Sequence, residues 1–277
     1  MDLEEQIRKT DFAWYDNTIH LFIGGSGLHS AKGDKPTDLD IMGVYIQPVE
    51  HVLGIPQYFI EADGRKKWFN PDVQVWSTAE DSRKNTADDV DINLYSLRKW
   101  AGMAATGNTT ALEFLFAENQ AQKNWQFWNN YIVLDRKHFI SRRAGFHFME
   151  FSKEMLRRLQ GKGTGKHGQR DNLIEEFGYD PKAALHLLRV LSEGIELMNT
   201  GTITLPRPDA EFLKLVRRGK FTFPEIEVFA ANGFNELQAA QEKSTLPPDV
   251  DREKISKIIT VAQMDFWGHE VKYGKNM

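Results

Sequence analysis

Cysteine is absent from the 277 residues. Its absence excludes disulfide staples, thiolate metal sites and a cysteine nucleophile. A long apolar run is also missing, since nothing approaches the ~20 residues that cross a bilayer. The first residues, MDLEEQIRKTDFAW, are acidic and lack the apolar core of a signal peptide. Together these absences lead us to expect a cytoplasmic protein without membrane contact. Nor is there an excess of positive charge. The formal net charge is −4, so any polyanion-binding surface must be local. Internal repeats and low-complexity segments are lacking as well.

What is present is an ordinary globular composition, 41% hydrophobic and 27% charged, in a chain long enough for one large domain or two modest ones. Residues 1–16 read as a short helix carrying Leu3 and Ile7 on one side. Leu21 to Ile23 is a brief apolar run that stops at Gly24-Gly25, as a buried strand ending in a tight turn does. Ser30 to Thr37 is a loop. In DLDIMGVYI, Asp38 and Asp40 fall on one face and Leu39 and Ile41 on the other, the period of a half-buried strand. Residues 61–88 are polar, with strand character in FNPDVQVW. Asp91 to Tyr95 alternates again, and Ser96 can cap a helix bearing Leu97, Trp100, Ala101 and Ala104. Gly107-Asn108 breaks that helix, and Ala111 to Phe116 starts another.

Beyond that point the pattern is nearly all helical. FISRRAGFHFMEFSKEMLRRLQ is one helix, followed by a glycine-lysine loop, GKGTGKHG. A second long helix begins with Asp180 as its cap and Pro181 in its first turn, and Gly201 ends it. Beside its apolar face runs a polar stripe of Lys182, His186, Arg189, Glu193 and Glu196. The architecture expected is α+β: a small, twisted, mixed or antiparallel sheet with helices over residues 1–130, then a helical domain over residues 131–277.

The stretch LFIGGSGLHSAKGDKPTDLDIMGVYI carries the chemistry. Two carboxylates on one strand face, Asp38 and Asp40, present oxygen ligands suited to a hard divalent cation, Mg²⁺ or Mn²⁺. A glycine turn at the end of a neighbouring strand offers backbone N–H groups to phosphate oxygens, and the Ser26 hydroxyl adds a donor. A third carboxylate from an adjacent strand would complete a two-metal site. Asp91 is the natural candidate, and Asp89, two residues earlier on the same face, is the alternative. Taken alone, an Asp-x-Asp pair is ordinarily a solvated strand edge; in order with the Gly-Gly-Ser turn it is a stronger signal.

GGS followed after a loop by DLD resembles the signature of the DNA polymerase beta-like nucleotidyltransferase superfamily. DINLYSLRKW, GNTTALEFLF, FGYDPKAALHLLRVLSEGIELMNTGTITLPRPD and LPPDVDREKI fall in the order of one subgroup, the bacterial and phage proteins associated with RNA repair. The likeness runs over residues 20 to 255. It implies that Gly25 and Ser26 hold a triphosphate and that Asp38, Asp40 and Asp91 are the catalytic, metal-binding carboxylates. It also implies that Tyr179, Lys182, His186 and Arg189 (with Asp180) line the nucleotide side of a cleft. Two departures stand out. Residues 61–88 are longer than usual, and Pro181 and Ala183 replace a common Thr and His. The activity implied is metal-dependent transfer of a nucleotide from an NTP, such as ATP, to a hydroxyl, with release of pyrophosphate. For the acceptor, an RNA 3′ end comes first, then a protein hydroxyl as in toxin-type members, then a small molecule. A catalytically idle nucleotide or RNA sensor is the alternative of another class.

Other features carry two readings. Lys182, His186 and Arg189 are either a solvated stripe with i,i+4 pairing such as Arg189 to Glu193, or cations facing a triphosphate. The segment from Arg136 to Arg170 is rich in Arg and Lys, and is either a solvated helix or an electrostatic track for RNA. Within it Phe146, Phe148 and Phe151 could stack bases, but the core is the reading expected for them. GKGTGKHG lacks the ending of a Walker loop and is expected to be a mobile loop near the cleft.

Overall fold

The structure, a computed structural model, describes residues 3–10, 12, 14–31, 38–55, 58–60, 64–68, 72–78, 89–117, 125–161 and 171–272. Its strands are β1 (Thr18–Ile23), β2 (Leu39–Tyr45), β3 (Tyr58–Ile60), β4 (Lys66–Trp68), β5 (Val73–Ser77) and β6 (Val90–Ser96). Its helices begin with α1 (Leu3–Arg8), α2 (Gly25–Leu28), α3 (Val49–Leu53), α4 (Leu97–Ala105), α5 (Thr109–Glu113) and α6 (Trp125–Trp128). They continue with α7 (Arg142–Leu159), α8 (Asp171–Phe177), α9 (Pro181–Thr200), α10 (Ala210–Arg217), α11 (Phe223–Lys243) and α12 (Arg252–Lys272). The α+β class expected from the sequence is the class observed. Much of 61–88, including 79–88, and most of GKGTGKHG lie outside the described residues.

Four strands form one mixed sheet in the order β1-β2-β6-β5. β1 runs antiparallel to β2, β2 parallel to β6, and β6 antiparallel to β5. β3 and β4 make a separate hairpin. The two faces of the sheet are sorted by the period of the strands. Leu21, Ile41, Tyr45, Val90, Ile92 and Leu94 meet Leu3 and Ile7 of α1 in a smaller core. Phe22, Val44 and Ile46 point the other way, into the larger core built with the helices, where Met42 and Tyr95 also pack. By alternation, positions 40 and 91 share that second, helix-covered face.

Local signals fix the helix ends. Ser96 accepts from the Lys99 N–H at 3.1 Å, Asn108 from Ala111 at 2.9 Å, and Asp180 from Lys182 at 2.8 Å. Gly201 closes α9 in the left-handed conformation at φ 73°. α9 is the central helix, packed by α7, α10 and α11, which is why its buried residues run nearly all round it. The expected boundary at 130 falls inside a π-helical turn, Asn129–Val133. The larger core runs across it, from Ile19 in the sheet to Ala262 in α12, so sheet and helices share one core. Far along α12, the Trp267 indole N–H donates to the Gln47 carbonyl just past β2, at 2.9 Å.

One expectation about α7 needs correcting. Phe148 is in the core, but Phe146 and Phe151 are 56% and 41% exposed. The helix buries Ala144, Gly145, Phe148 and Ser152, and positions 146 and 151 lie off that stripe.

Candidate metal and nucleotide site

β1 ends at Ile23, opposite Ile41 of β2, and the Gly24 N–H still donates to the Asp40 carbonyl at 2.9 Å. The chain then turns sharply into α2 through Gly25, whose φ is +53°. A methyl group on Gly25 would lie 2.0 Å from Asp40 Oδ2, so both the backbone angle and the close approach demand glycine here. This is the physical reason a glycine turn and an aspartate pair occur together: the turn is seated directly on the Asp40 carboxylate. Ser26 follows in the first turn of α2, where the leading N–H groups of a helix have no partner within the helix.

On the other side of β2, Asp40 is the direct register partner of Asp91 in the parallel ladder. Asp38 stands just ahead of the strand. Each of the three carboxylates offers an oxygen within 4.8 Å of the others, and all three residues are half-buried. Three oxygen donors at that spacing, reachable from solvent, suit a hard divalent cation. Asp89 is engaged differently, because the Thr78 hydroxyl donates to its Oδ1 at 2.8 Å.

A second cluster lies behind the turn. His29, directly after α2, meets Glu113 of α5 and Glu193 of α9, all buried. The place a cation would take among them is filled by Arg189. Its Nη1 is 2.6 Å from Glu113 Oε1, 2.9 Å from Glu193 Oε1 and 2.7 Å from His29 Nε2. A guanidinium only donates, so His29 Nε2 accepts and the imidazole proton sits on Nδ1, facing Glu193 Oε1 at 3.3 Å. Burial, then the nearby charge of Arg189, holds His29 well below its ordinary pKa, so it is neutral. Burial raises Glu193 to about 7 even though Arg189 opposes the shift. For Arg189 burial works against the charge, but Glu193 and Glu113 outweigh it and the pKa is raised.

The residues expected along the nucleotide side therefore divide. Arg189 is buried in this ion cluster. Tyr179 is buried too, and its hydroxyl donates to the Phe221 carbonyl at 2.8 Å. Asp180 is occupied as the cap of α9. His186 and Lys182 are half-buried, and His186 Nδ1 lies 3.3 Å from Arg189 Nη2, which ties it to the His29 end of the turn. Gly25, Ser26, Asp38, Asp40 and Asp91 are brought to one end of the sheet. His29 and Glu113 went unnoticed in the sequence. The signal for Glu113 was present: it is the lone charge in the apolar run ALEFLF.

Four of the seven described Arg and Lys residues of the basic segment are paired with carboxylates. Arg143 pairs with Asp249 at 3.1 Å, Lys153 with Glu150 at 2.9 Å, and Arg157 and Arg158 with Glu154 at 3.5 and 3.1 Å. Lys162, Lys166 and Arg170 lie outside the described residues. No helix of the described residues is long and apolar enough to cross a membrane.

A family model described as RNA repair pathway DNA polymerase beta family (RlaP) matches residues 1–259. None of the curated proteins matches. Among solved structures, a nucleotidyltransferase-like protein from Exiguobacterium sibiricum 255-15 is similar over 99% of this chain and 81% of its own. At 10% identity and a TM-score of 0.30, that likeness is too slight to bear on function.

Proposed function

Because this chain belongs to the RNA repair pathway DNA polymerase beta family, we propose that it is a cytoplasmic nucleotidyltransferase that moves NMP from an NTP to a hydroxyl on RNA. The observation that carries the reading is the convergence of Asp38, Asp40 and Asp91 to within 4.8 Å, beside a glycine turn seated against the Asp40 carboxylate.

Asp38, Asp40 and Asp91 would hold Mg²⁺ or Mn²⁺, which when bound offsets triphosphate charge and favours ionisation of the attacking hydroxyl. The first N–H groups of α2 and the Ser26 hydroxyl receive the phosphate oxygens at the glycine turn. Lys182 and His186 on α9 face the charge that grows on the leaving group. The acceptor hydroxyl, nearest Asp91, gives its proton to that carboxylate as its oxygen bonds to the α-phosphorus; the P–O bond to the β-phosphate breaks, and pyrophosphate leaves in line. Arg189 acts as a positioning residue, bracing the turn through His29. Tyr179 holds the start of α9 by its bond to the Phe221 carbonyl. RNA as the acceptor is supported by the family's description.

The test is label transfer from each α-labelled NTP, with Mg²⁺ or Mn²⁺, into total RNA and total protein. Label is expected in RNA, lost in Asp40→Asn and Asp91→Asn and retained in Asp89→Asn. Label in protein alone would replace RNA with a protein acceptor. Pyrophosphate release that both Asp40→Asn and Asp91→Asn preserve would sink the carboxylate assignment.

A further inference from the structure

We propose that the N-terminal turns of α7 bind single-stranded nucleic acid, with Arg142 taking a backbone phosphate and Phe146 stacking a base. A cavity of about 340 Å³ opens there, lined by Arg142, Arg143, Gln241, Pro248 and Asp249. Arg142 stands apart from the other described arginines and lysine of this helix, each of which has a carboxylate partner. Its Nε is buried and meets no hydrogen-bond partner among the described residues. A buried Nε–H without an acceptor is costly, and the half-buried Arg142 side chain can relieve the cost by turning its guanidinium to an incoming anion.

The charges of the lining select the kind of anion. Arg142 and Arg143 bring two positive charges and Asp249, at 3.1 Å from Arg143, removes one. A net single positive charge matches a phosphodiester, which carries one negative charge, better than a doubly charged free phosphate. One turn along, Phe146 is 56% exposed although it is a large apolar side chain. Residues four apart on a helix are neighbours on its surface, so the phosphate-binding and aromatic groups are side by side. That pairing of a cation with an exposed ring is how single strands are held without regard to sequence. The same turns are joined to the sheet-bearing half. Gly107, between α4 and α5, takes φ +80°, and a methyl group on it would fall 2.7 Å from Ala144 Cα. The helices that follow the Asp91 strand therefore seat the first turn of α7.

The inference deepens the reading of an RNA acceptor and rests on it for the choice of strand, but binding is measured without transfer. Fluorescence anisotropy would follow a labelled single-stranded RNA of about 12 nucleotides on the full chain over a range of salt. Arg142→Gln should weaken binding roughly 10-fold and lower the salt slope by about one. Phe146→Ala should weaken it roughly 5- to 100-fold with the slope unchanged. Arg142→Lys should restore the slope, and Lys257→Gln on the exposed side of α12 should change neither. Thermal melting of each variant separates lost binding from lost folding. Binding indifferent to both residues in folded variants would overturn the site, as would full competition by millimolar inorganic phosphate. If RNA binding depends on Arg142 but no NTP label is transferred, the site stands and the transferase reading fails. If transfer occurs and RNA binding ignores Arg142, the transferase reading stands and the site fails.

Discussion

Two carboxylate clusters lie on either side of one short turn, and they differ in how their charge is managed. Glu113 and Glu193 are enclosed, so the chain supplies its own cation, Arg189, and a neutral His29 completes the set. Asp38, Asp40 and Asp91 are half-buried at the end of the sheet, where hydration remains and an ion from solution can reach them. Enclosed carboxylates need a cation or a proton held close by, because an uncompensated buried charge is strongly destabilising. Carboxylates left at the surface can wait for a ligand. Stability therefore rests chiefly with the cluster behind the turn, and the one in front of it is where we propose the chemistry.

The largest effect expected from breaking this division is on folding. Arg189→Ala leaves two carboxylates enclosed without a cation and should cost about 3–5 kcal/mol in urea unfolding; a cost below ~1 kcal/mol would mean the cluster is not structural. Next comes the front cluster. Gly25→Ala drives a methyl group into Asp40 and should lower transfer at least ~100-fold, about 2.7 kcal/mol, while stability falls by only about 1–2 kcal/mol. Equal losses in both measurements would erase the distinction. The smallest effect concerns pH. Burial raises Glu193 from 4.5 to about 7, so between those values the folded chain keeps a proton that the unfolded chain has released. Its contribution to stability is therefore full below about 4.5 and is lost as pH rises to about 7. Glu193→Gln, which cannot titrate, should gain on the wild type across that window, and a pH-independent difference would show that Glu193 is ionised throughout.

Much of the front cluster was legible because it is local or periodic. The DLD alternation, the apolar run ending at Gly24-Gly25 and the caps Ser96 and Asp180 depend on neighbours in sequence. The close contact of Gly25 with Asp40 was not legible, since it arises only when β1 pairs with β2. Arg189 shows the limit more sharply. Its spacing on α9 fits a surface stripe and a buried pair equally well, and burial is decided by α5 and the turn after β1, distant in the chain. Phe146 and Phe151 misled for a related reason. Apolar character suggested core, but α7 buries a stripe too narrow to include them.

The bond from Trp267 to the Gln47 carbonyl bears on how the nascent chain matures. Gln47 is made 220 residues before its partner. At ~5–20 residues per second that interval is roughly 11–44 s. Throughout it the carbonyl just past β2 lacks the indole that reaches it from α12, so this tie between sheet and last helix is among the latest that the growing chain can make.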